Sequence, residues 1–451
     1  MDSPFQDREA LTRRSFLATI PVVAAVSLPV ANGEAKLAAD GGMPVRATRL
    51  ATEYPGTQLY DEQERGELAE AYDSHNLFRF YGPTKPRKVA AFEKELAGTM
   101  GAKYALAVTS GTAALHCSLA AIGVGPGEEV ILPAWTWHSC YMAILMTGTL
   151  PVFAEVDESF SMDPKDLEAK ITPQTKAVMP VHLFGAPADM GRIMPIARKH
   201  GLRVIEDAAQ SVGADYGGRR LGTIGDIGIY SFQIHKVITA GEGGAIVTDD
   251  SLLYERAIRF HDLGLLRPMH RETLGEPRMP FSLGVNYRMN EMTGAVLRGQ
   301  LRKLNAIVAQ YRQKSRLVKD SIKDLPGIKL RQSNDPKGEI GWTVDLLLPD
   351  KKMRDKFVTA MNAENVAASP PSAATPLPPM PYIEQKYAPH PAWPSFNSPR
   401  GKAMVYGAQC CPQTLDIYNR AATLTIGPKF TPADLKDMVT AIRKVYGALF
   451  A

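Results

Sequence analysis

The sequence predicts an α/β protein with a mainly parallel sheet that is sandwiched between helices. From about residue 85, short apolar runs rich in Val, Ile and Ala alternate with stretches of helical periodicity that end in Gly or Pro. Strands joined by crossover helices form parallel sheets covered on both faces. Ligands of such sheets bind beyond the carboxyl ends of the strands, where the connecting loops gather.

The apolar runs give strands and the periodic stretches give helices, in alternation. The predicted strands are 104–108, 129–132, 150–153, 177–181, 203–205, 227–230 and 244–248. The predicted helices include 113–122, 190–200, 253–263, 291–311 and 431–449. Thr431 and Pro432 suit the N-cap and the first position of the last helix. Nine prolines between 368 and 396 predict a rigid, extended loop there.

Composition indicates an ordinary globular protein, long enough to bury a sizeable core. It has 451 residues, of which 45% are hydrophobic and 22% charged, and a net charge of +5. These values exclude fibrous and low-complexity classes and give no basis for nucleic-acid binding. Four cysteines without metal spacing predict neither a disulfide framework nor a zinc site. We expect a large domain over 61–305 and a smaller α+β domain over 306–451.

The first 35 residues resemble a twin-arginine signal peptide. Arg13 and Arg14 precede an uncharged Ala/Val-rich stretch, and small residues around 33–35 suit a signal peptidase. The apolar stretch contains two prolines and falls short of the ~20 residues that span a bilayer. We therefore predict a cleaved leader over 1–35, a linker over 36–60, export to the periplasm and no stable membrane span. The alternatives are an uncleaved or disordered tail and a cytoplasmic protein.

The motif Ser110-Gly111-Thr112 lies where a predicted strand turns into a helix. Unpaired backbone N–H groups and a partial positive charge at a helix N-terminus bind phosphate, and hydroxyl groups add donors. The same three residues also suit a plain helix N-cap. Both interpretations are open from this motif alone.

Asp207 follows a predicted buried strand at the end where ligands bind. A carboxylate there can cap a loop, bind a metal ion or pair with a protonated ring nitrogen. The neighbourhood offers no clear further metal ligands. Glu206, one residue earlier, is expected on the opposite side of the strand.

Lys236 lies in a strand-to-loop transition between Ser231 and a Gly-Glu-Gly-Gly turn at 241–244. Most lone lysines are solvated surface charges. A lysine shielded by protein has a lowered pKa, and its neutral amine can form an imine with an aldehyde. The surroundings of Lys236 favour this second interpretation.

These motifs, in this order, resemble the DegT/DnrJ/EryC1/StrS family of pyridoxal-phosphate-dependent sugar aminotransferases of fold type I, over about residues 60–448. The resemblance implies pyridoxal 5′-phosphate as the cofactor, with Lys236 as the lysine that joins it. It also implies that Asp207 pairs with the pyridinium nitrogen and that Gln210 lies near the phenolic oxygen.

The resemblance assigns further residues to the cofactor. Ser110, Gly111, Thr112 and Ser231 resemble the phosphate-binding cradle. Trp137 resembles the aromatic residue that stacks on the cofactor ring; a core tryptophan is the alternative.

Two other segments match the family. In Gly-Val-Asn-Tyr-Arg-Met at 284–289, Asn286 corresponds to a residue that reaches the cofactor phosphate of the partner subunit. This implies an obligate homodimer with shared active sites. His182, in Pro-Val-His-Leu-Phe-Gly at 180–185, is either an active-site neighbour or a satisfied core histidine.

The activity implied by the resemblance is ping-pong transamination from glutamate or glutamine to a cyclic polyhydroxy ketone, in amino-sugar or polysaccharide biosynthesis. The acceptor is a keto-sugar, often nucleotide-linked, or a keto-cyclitol. Gln233, in place of the commoner histidine, and Cys411-Pro412 look more like the branch of aminohydroxybenzoate synthases and keto-cyclitol aminotransferases.

Two alternatives to transamination follow from the same family. Related sugar dehydratases carry histidine where this chain has Lys236; His235 is one residue away, but the distance to the 241–244 turn makes Lys236 the match. The other alternative is a cofactor-binding regulatory or structural protein without turnover.

Overall fold

A computed structural model of the chain describes residues 36–51, 56–80, 87–279, 282–372 and 374–450. The predicted leader over 1–35 lies outside these residues. Within the parts of the chain that the structure describes, no helix combines the length and the apolar character needed to cross a bilayer.

A seven-stranded sheet forms the centre of the protein. The strands of the chain are β1 Tyr104–Val108, β2 Glu129–Pro133, β3 Trp135–Thr136, β4 Leu150–Ala154, β5 Thr175–Val178, β6 Arg203–Asp207, β7 Asp215–Tyr216, β8 Arg219–Arg220, β9 Ile227–Ser231, β10 Gly244–Thr248, β11 Lys329–Leu330, β12 Thr343–Leu347, β13 Thr375–Pro376 and β14 Ala421–Thr425. The large sheet has the order β1-β10-β9-β6-β5-β2-β4. Strand β10 runs antiparallel to both neighbours, and the other pairs are parallel. The predicted mainly parallel sheet is confirmed.

The predicted strand 177–181 is displaced in the structure. Strand β5 spans Thr175–Val178, and its regular ladder ends at Val178. Pro180 has no N–H group to donate to a ladder, so regular pairing cannot continue through it. The chain nevertheless stays beside β6, because Pro180 accepts a 2.9 Å hydrogen bond from the Asp207 backbone N–H.

Helices cover both faces of the large sheet. The helices of the described chain are α1 Glu62–Asp73, α2 Lys88–Met100, α3 Gly111–Ile122, α4 Ser139–Met146, α5 Pro164–Lys170, α6 Met190–Lys199, α7 Ser251–His261, α8 Pro268–Leu274, α9 Glu291–Asp320, α10 Lys351–Ala363, α11 Pro381–Glu384, α12 Pro394–Asn397, α13 Pro399–Ala403, α14 Pro412–Arg420 and α15 Pro432–Phe450. Alternate residues of β1 enter opposite cores: Ala105 packs with α2 and α9, and Leu106 packs with α3 and α7. The expected helical sandwich is therefore present.

Helix α9 is longer than the sequence pattern predicted. It spans Glu291–Asp320 instead of ending at Tyr311, because its buried face continues through Ser315 and Val318. The predicted domain division at residue 305 falls inside this helix. A second, antiparallel sheet of β11, β12 and β14 follows it.

The segment that follows the predicted leader is docked on the C-terminal part of the chain. Ala38 and Val45 each donate a backbone hydrogen bond of 2.9 Å to the buried carboxylate of Glu364. Lys444 forms an ion pair of 2.8 Å with the same carboxylate. The described part of the predicted 36–60 linker is thus held by specific contacts, which its composition did not indicate.

The proline-rich segment is not the extended loop that its composition predicted. Within 374–396, β13 pairs with β3, and two short helices follow. Leu377, Ile383 and Phe396 are buried in the same core as α3 and α4. The prediction was wrong because the apolar residues between the prolines anchor the segment by burial, an effect that proline content alone does not report.

Candidate functional site

A cavity of about 510 Å³ lies beyond the carboxyl ends of β1, β6 and β9. This volume is within the roughly 300–1,000 Å³ typical of small-molecule sites. The residues that line the cavity and bear polar or aromatic groups are Ser110, Thr112, Thr136, Trp137, Ser139, Asp207, Gln210, Ser231, Gln233, His235, Lys236, Glu242, Tyr311, Trp342 and Ser372. The cavity occupies the end of the sheet that the sequence predicted.

One end of the cavity is lined by hydroxyl groups and the first turn of α3. Ser110 is the N-cap of this 12-residue helix, and its Oγ accepts a hydrogen bond of 3.1 Å from Ala113 N. Thr112 Oγ1 donates to Ser139 Oγ at 2.9 Å. The two interpretations of Ser110 therefore coincide: it caps the helix and also lines the cavity.

Gly111 brings this helix start against the end of β9. A Cβ atom at position 111 would lie 2.8 Å from Ser231 Cβ, a separation that real Cβ atoms do not show. Only glycine therefore permits the contact between the 110–112 turn and Ser231. The result is a concave, hydroxyl-lined surface at a helix N-terminus, which fits a phosphate group.

Asp207 and Lys236 line the same cavity. Asp207 is the last residue of β6, and its Oδ1 accepts a hydrogen bond of 2.9 Å from Ala209 N. Burial lowers the pKa of the Lys236 amine, and the negative charge of Asp207 opposes this shift. A shielded amine and a fixed carboxylate that line one cavity can serve the aldehyde and the ring nitrogen of one bound molecule.

Gln210 and Trp137 lie at the cavity wall. Gln210 Oε1 accepts a hydrogen bond of 2.9 Å from Phe184 N, which fixes the amide and leaves its Nε2 as a donor. Trp137 is 46% exposed, whereas Trp135, two residues earlier, is fully buried. Trp135 is therefore the core tryptophan, and Trp137 is exposed enough to contact a ligand.

His182 is a satisfied core histidine. It is fully buried, its Nδ1 accepts a hydrogen bond of 3.0 Å from Ala188 N, and its Nε2 donates to Glu206 at 3.1 Å. Glu206 lies on the opposite side of β6 from Asp207, as predicted, and accepts backbone hydrogen bonds from the turn at 222–225. His182 is not among the cavity-lining residues.

Asn286 does not line the cavity of its own chain. Its side chain is exposed, and its backbone forms an antiparallel bridge with Asp262. A single chain thus brings together every predicted cofactor residue except Asn286. Its predicted contact with a partner subunit's cofactor stays a prediction.

The sequence did not single out several residues that contribute to the site. Ser139 and Cys140 lie at the start of α4, two and three residues after Trp137. This closeness in sequence to a predicted cofactor residue could have identified them as candidates for the site. Tyr311 and Trp342 come from α9 and the segment just before β12, far away in the chain. No local motif marks them, because only the folded arrangement brings them to the cavity.

The lining residues fit pyridoxal 5′-phosphate. The hydroxyl-lined helix start suits the phosphate, the Asp207 carboxylate suits a protonated ring nitrogen, and the shielded Lys236 amine suits the aldehyde. Separately, in the described ranges no group of three or more histidine, cysteine, aspartate or glutamate side chains is placed to hold a metal ion.

Comparisons with known proteins agree with this arrangement. The sequence profile of the DegT/DnrJ/EryC1/StrS aminotransferase family matches residues 59–443. GDP-perosamine synthase of Escherichia coli O157:H7 is 34% identical over 334 residues, covering 72% of this chain and 89% of that protein. The putative L-glutamine:3-amino-2,3-dideoxy-scyllo-inosose aminotransferase of Micromonospora echinospora is 32% identical over 419 residues, covering 91% and 97%.

A solved structure shares the architecture. The crystal structure of 3-amino-5-hydroxybenzoic acid synthase superposes with a TM-score of 0.72 at 28% identity. The match covers 88% of this chain and all of the other chain.

Proposed function

The chain belongs to the DegT/DnrJ/EryC1/StrS aminotransferase family, and from this premise we propose that it transfers an amino group from glutamate or glutamine to a cyclic polyhydroxy ketone. It is a pyridoxal-phosphate-dependent aminotransferase of fold type I. The observation that carries the proposal is the joint placement of Lys236 and Asp207 in one cavity, beside a hydroxyl-lined helix start.

The residues divide the work of transamination. The bound cofactor supplies a cationic ring that accepts the electrons left when a proton leaves the substrate carbon. Asp207 holds the proton on the ring nitrogen, so that the ring keeps its positive charge. Lys236, as a free amine, removes the proton from the substrate carbon and later returns it, acting as general base and then as general acid.

The other residues bind and orient. The N–H groups of the first turn of α3, that of Thr112 included, and the hydroxyls of Ser110 and Ser231 would bind the phosphate, while the Thr112 hydroxyl donates to Ser139. Trp137 would cover a face of the ring, and the Gln210 Nε2 would donate toward the phenolic oxygen. These contacts would orient the ring relative to the Lys236 amine.

The test of this function follows the absorbance of the purified holoenzyme. Glutamate or glutamine is expected to abolish the visible band of the lysine-linked cofactor, and a keto-cyclitol or keto-sugar is expected to restore it. A band that no amino donor changes would favour the regulatory binding protein. A dehydrated product without amine transfer would favour the dehydratase.

The proposal includes a homodimer with shared sites, in which Asn286 reaches the partner's cofactor phosphate. The exposed position of Asn286 outside its own cavity supports this arrangement. Lys236→Ala and Asn286→Ala proteins, each nearly inactive alone, are expected to regain about a quarter of wild-type activity when unfolded and refolded together in equal amounts. In a mixed dimer, one of two sites has both residues intact. Activity no greater than the average of the two separate proteins would contradict the shared site.

We also propose export through the leader over 1–35. The paired Arg13 and Arg14 support this part of the proposal. When cells that express the tagged protein are fractionated, the double variant Arg13→Lys/Arg14→Lys is expected in the cytoplasm and the wild-type protein in the periplasm. Equal cytoplasmic retention of both proteins would exclude export by this signal.

A further inference from the structure

The thiol of Cys140 lies against the carboxylate of Asp207. Cys140 is fully buried near the start of α4, and its Sγ is 3.0 Å from Asp207 Oδ2. Asp207 is 5% exposed, so bulk water does not compete with this contact. The two side chains come from different elements, α4 and β6, and Asp207 is the one of the pair that lines the cavity.

The donors and acceptors around this thiol have a single consistent order. An ionised carboxylate only accepts, so the thiol donates its proton to Asp207 Oδ2. Thr136 Oγ1 is 3.3 Å from the same sulfur and, because the thiol proton is already used, its hydroxyl donates to Sγ. Burial, reinforced by the charge of Asp207, raises the pKa of Cys140 well above its usual value, so the thiol keeps its proton.

Asp207 is therefore held at both oxygens. Ala209 N donates to Oδ1 and the Cys140 thiol donates to Oδ2. These two contacts fix the plane of the carboxylate, and a carboxylate oxygen still has a lone pair for a third partner. A carboxylate that pairs with a ring nitrogen in one fixed orientation needs hydrogen bonds from neighbouring residues to hold it there.

We propose that Cys140 is a positioning residue that orients Asp207 toward the ring nitrogen of the cofactor. The proposal rests on the role of Asp207 given in the proposed function. Its chemistry is a hydrogen bond that stabilises the ionised carboxyl, reinforced by the hydroxyl of Thr136 behind it. Cys140 itself does not touch the reacting atoms.

Other titratable groups near Asp207 do not replace this support. Lys236 acts on Asp207 through its charge across the cavity, and Glu242 lies beyond Lys236 on the same loop. Glu206 and His182 pair with each other on the other side of β6. Cys140 is thus the titratable side chain in contact with the Asp207 carboxylate within the described structure.

The experiment measures binding of pyridoxal 5′-phosphate to the cofactor-free full chain as a function of pH, in wild type, Cys140→Ala and Cys140→Ser. Cys140→Ala is expected to raise the pH midpoint of cofactor loss in acid by about one unit, which corresponds to a tenfold change in the protonation equilibrium of the carboxyl. The sign follows because a lost donor makes the carboxyl easier to protonate. Cys140→Ser keeps a donor, and its midpoint is expected to stay within about half a unit of wild type.

Matched controls distinguish the loss of the hydrogen bond to Asp207 from the loss of packing by a buried side chain. Cys117→Ala removes another fully buried thiol, in α3, and is expected to leave the acid midpoint unchanged. The proposal is overturned if Cys140→Ala and Cys140→Ser behave alike, or if Cys117→Ala shifts the midpoint equally. The turnover of Asp207→Asn is measured in parallel. If Asp207→Asn turns over like wild type, the role of Asp207 fails; if its turnover is lost while Cys140→Ala keeps the wild-type acid midpoint, this inference alone fails.

Discussion

Lys236→Ala is expected to lose the visible band of the lysine-linked cofactor and to lower kcat by on the order of 10⁴-fold. Both effects fall on one residue because the same amine joins the cofactor aldehyde and moves the proton at the substrate carbon. The fold is expected to survive, since the side chain lines a cavity and alanine introduces no buried charge. Absorbance, single-turnover kinetics and thermal unfolding measure the three outcomes.

A neighbouring variant tests the register of this assignment. His235→Ala is expected to retain the lysine-linked band, because His235 lies exposed on the loop and its imidazole does not join the aldehyde. If His235→Ala lost the band while Lys236→Ala kept it, the assignment would be one residue out of place. Lys236→Arg keeps a positive charge but cannot form the imine, so it should resemble Lys236→Ala.

The sequence predicted the parts of the site that lie on local motifs. Asp207 ends a buried strand, Ser110 to Thr112 and Lys236 each follow one, and a parallel sheet places such strand ends at one edge. This geometric rule predicts that three segments far apart in sequence line one cavity. The strands predicted for the large sheet are present, apart from the displaced one at 177–181, because apolar periodicity reports burial directly.

The features that the sequence missed depend on long-range contacts. The contact of Cys140 with Asp207 joins residues 67 positions apart, and no sequence pattern around either residue predicts it. Glu364 holds residues 38 and 45 across more than 300 positions. The proline-rich segment was misjudged because Leu377 and Ile383 find partners only in the folded core. Periodicity shows that a side chain is buried, but not against which partner.

Asp207→Asn is expected to keep the lysine-linked band but to lower turnover by on the order of 10²–10⁴-fold. The amide has nearly the size of the carboxylate but no negative charge, so it no longer keeps a proton on the ring nitrogen. The ring then accepts the substrate's electrons poorly, while Lys236 still forms its bond to the aldehyde. Loss of turnover with retention of the band is the signature that separates Asp207→Asn from Lys236→Ala.

Asp207→Asn also carries a cost in stability that its contacts predict. Ala209 N and the Cys140 thiol each donate to one oxygen of Asp207, and an amide offers only one oxygen. One donor then faces the amide N–H₂ group, which should lower the free energy of unfolding by about 1–3 kcal/mol. Denaturant titration of the cofactor-free protein measures this term without interference from the ligand.

Glu206→Gln is the control that distinguishes the two faces of β6. Glu206 accepts hydrogen bonds from Gly222 N and His182 on the face away from the cavity, so its loss should lower stability with little effect on the absorbance spectrum of the bound cofactor. If Asp207→Asn lowered stability and left turnover intact, Asp207 would be a structural acid like its neighbour. Adjacent residues of a strand point to opposite faces of the sheet. The Glu206 variant should therefore change stability, whereas the Asp207 variant should also change turnover.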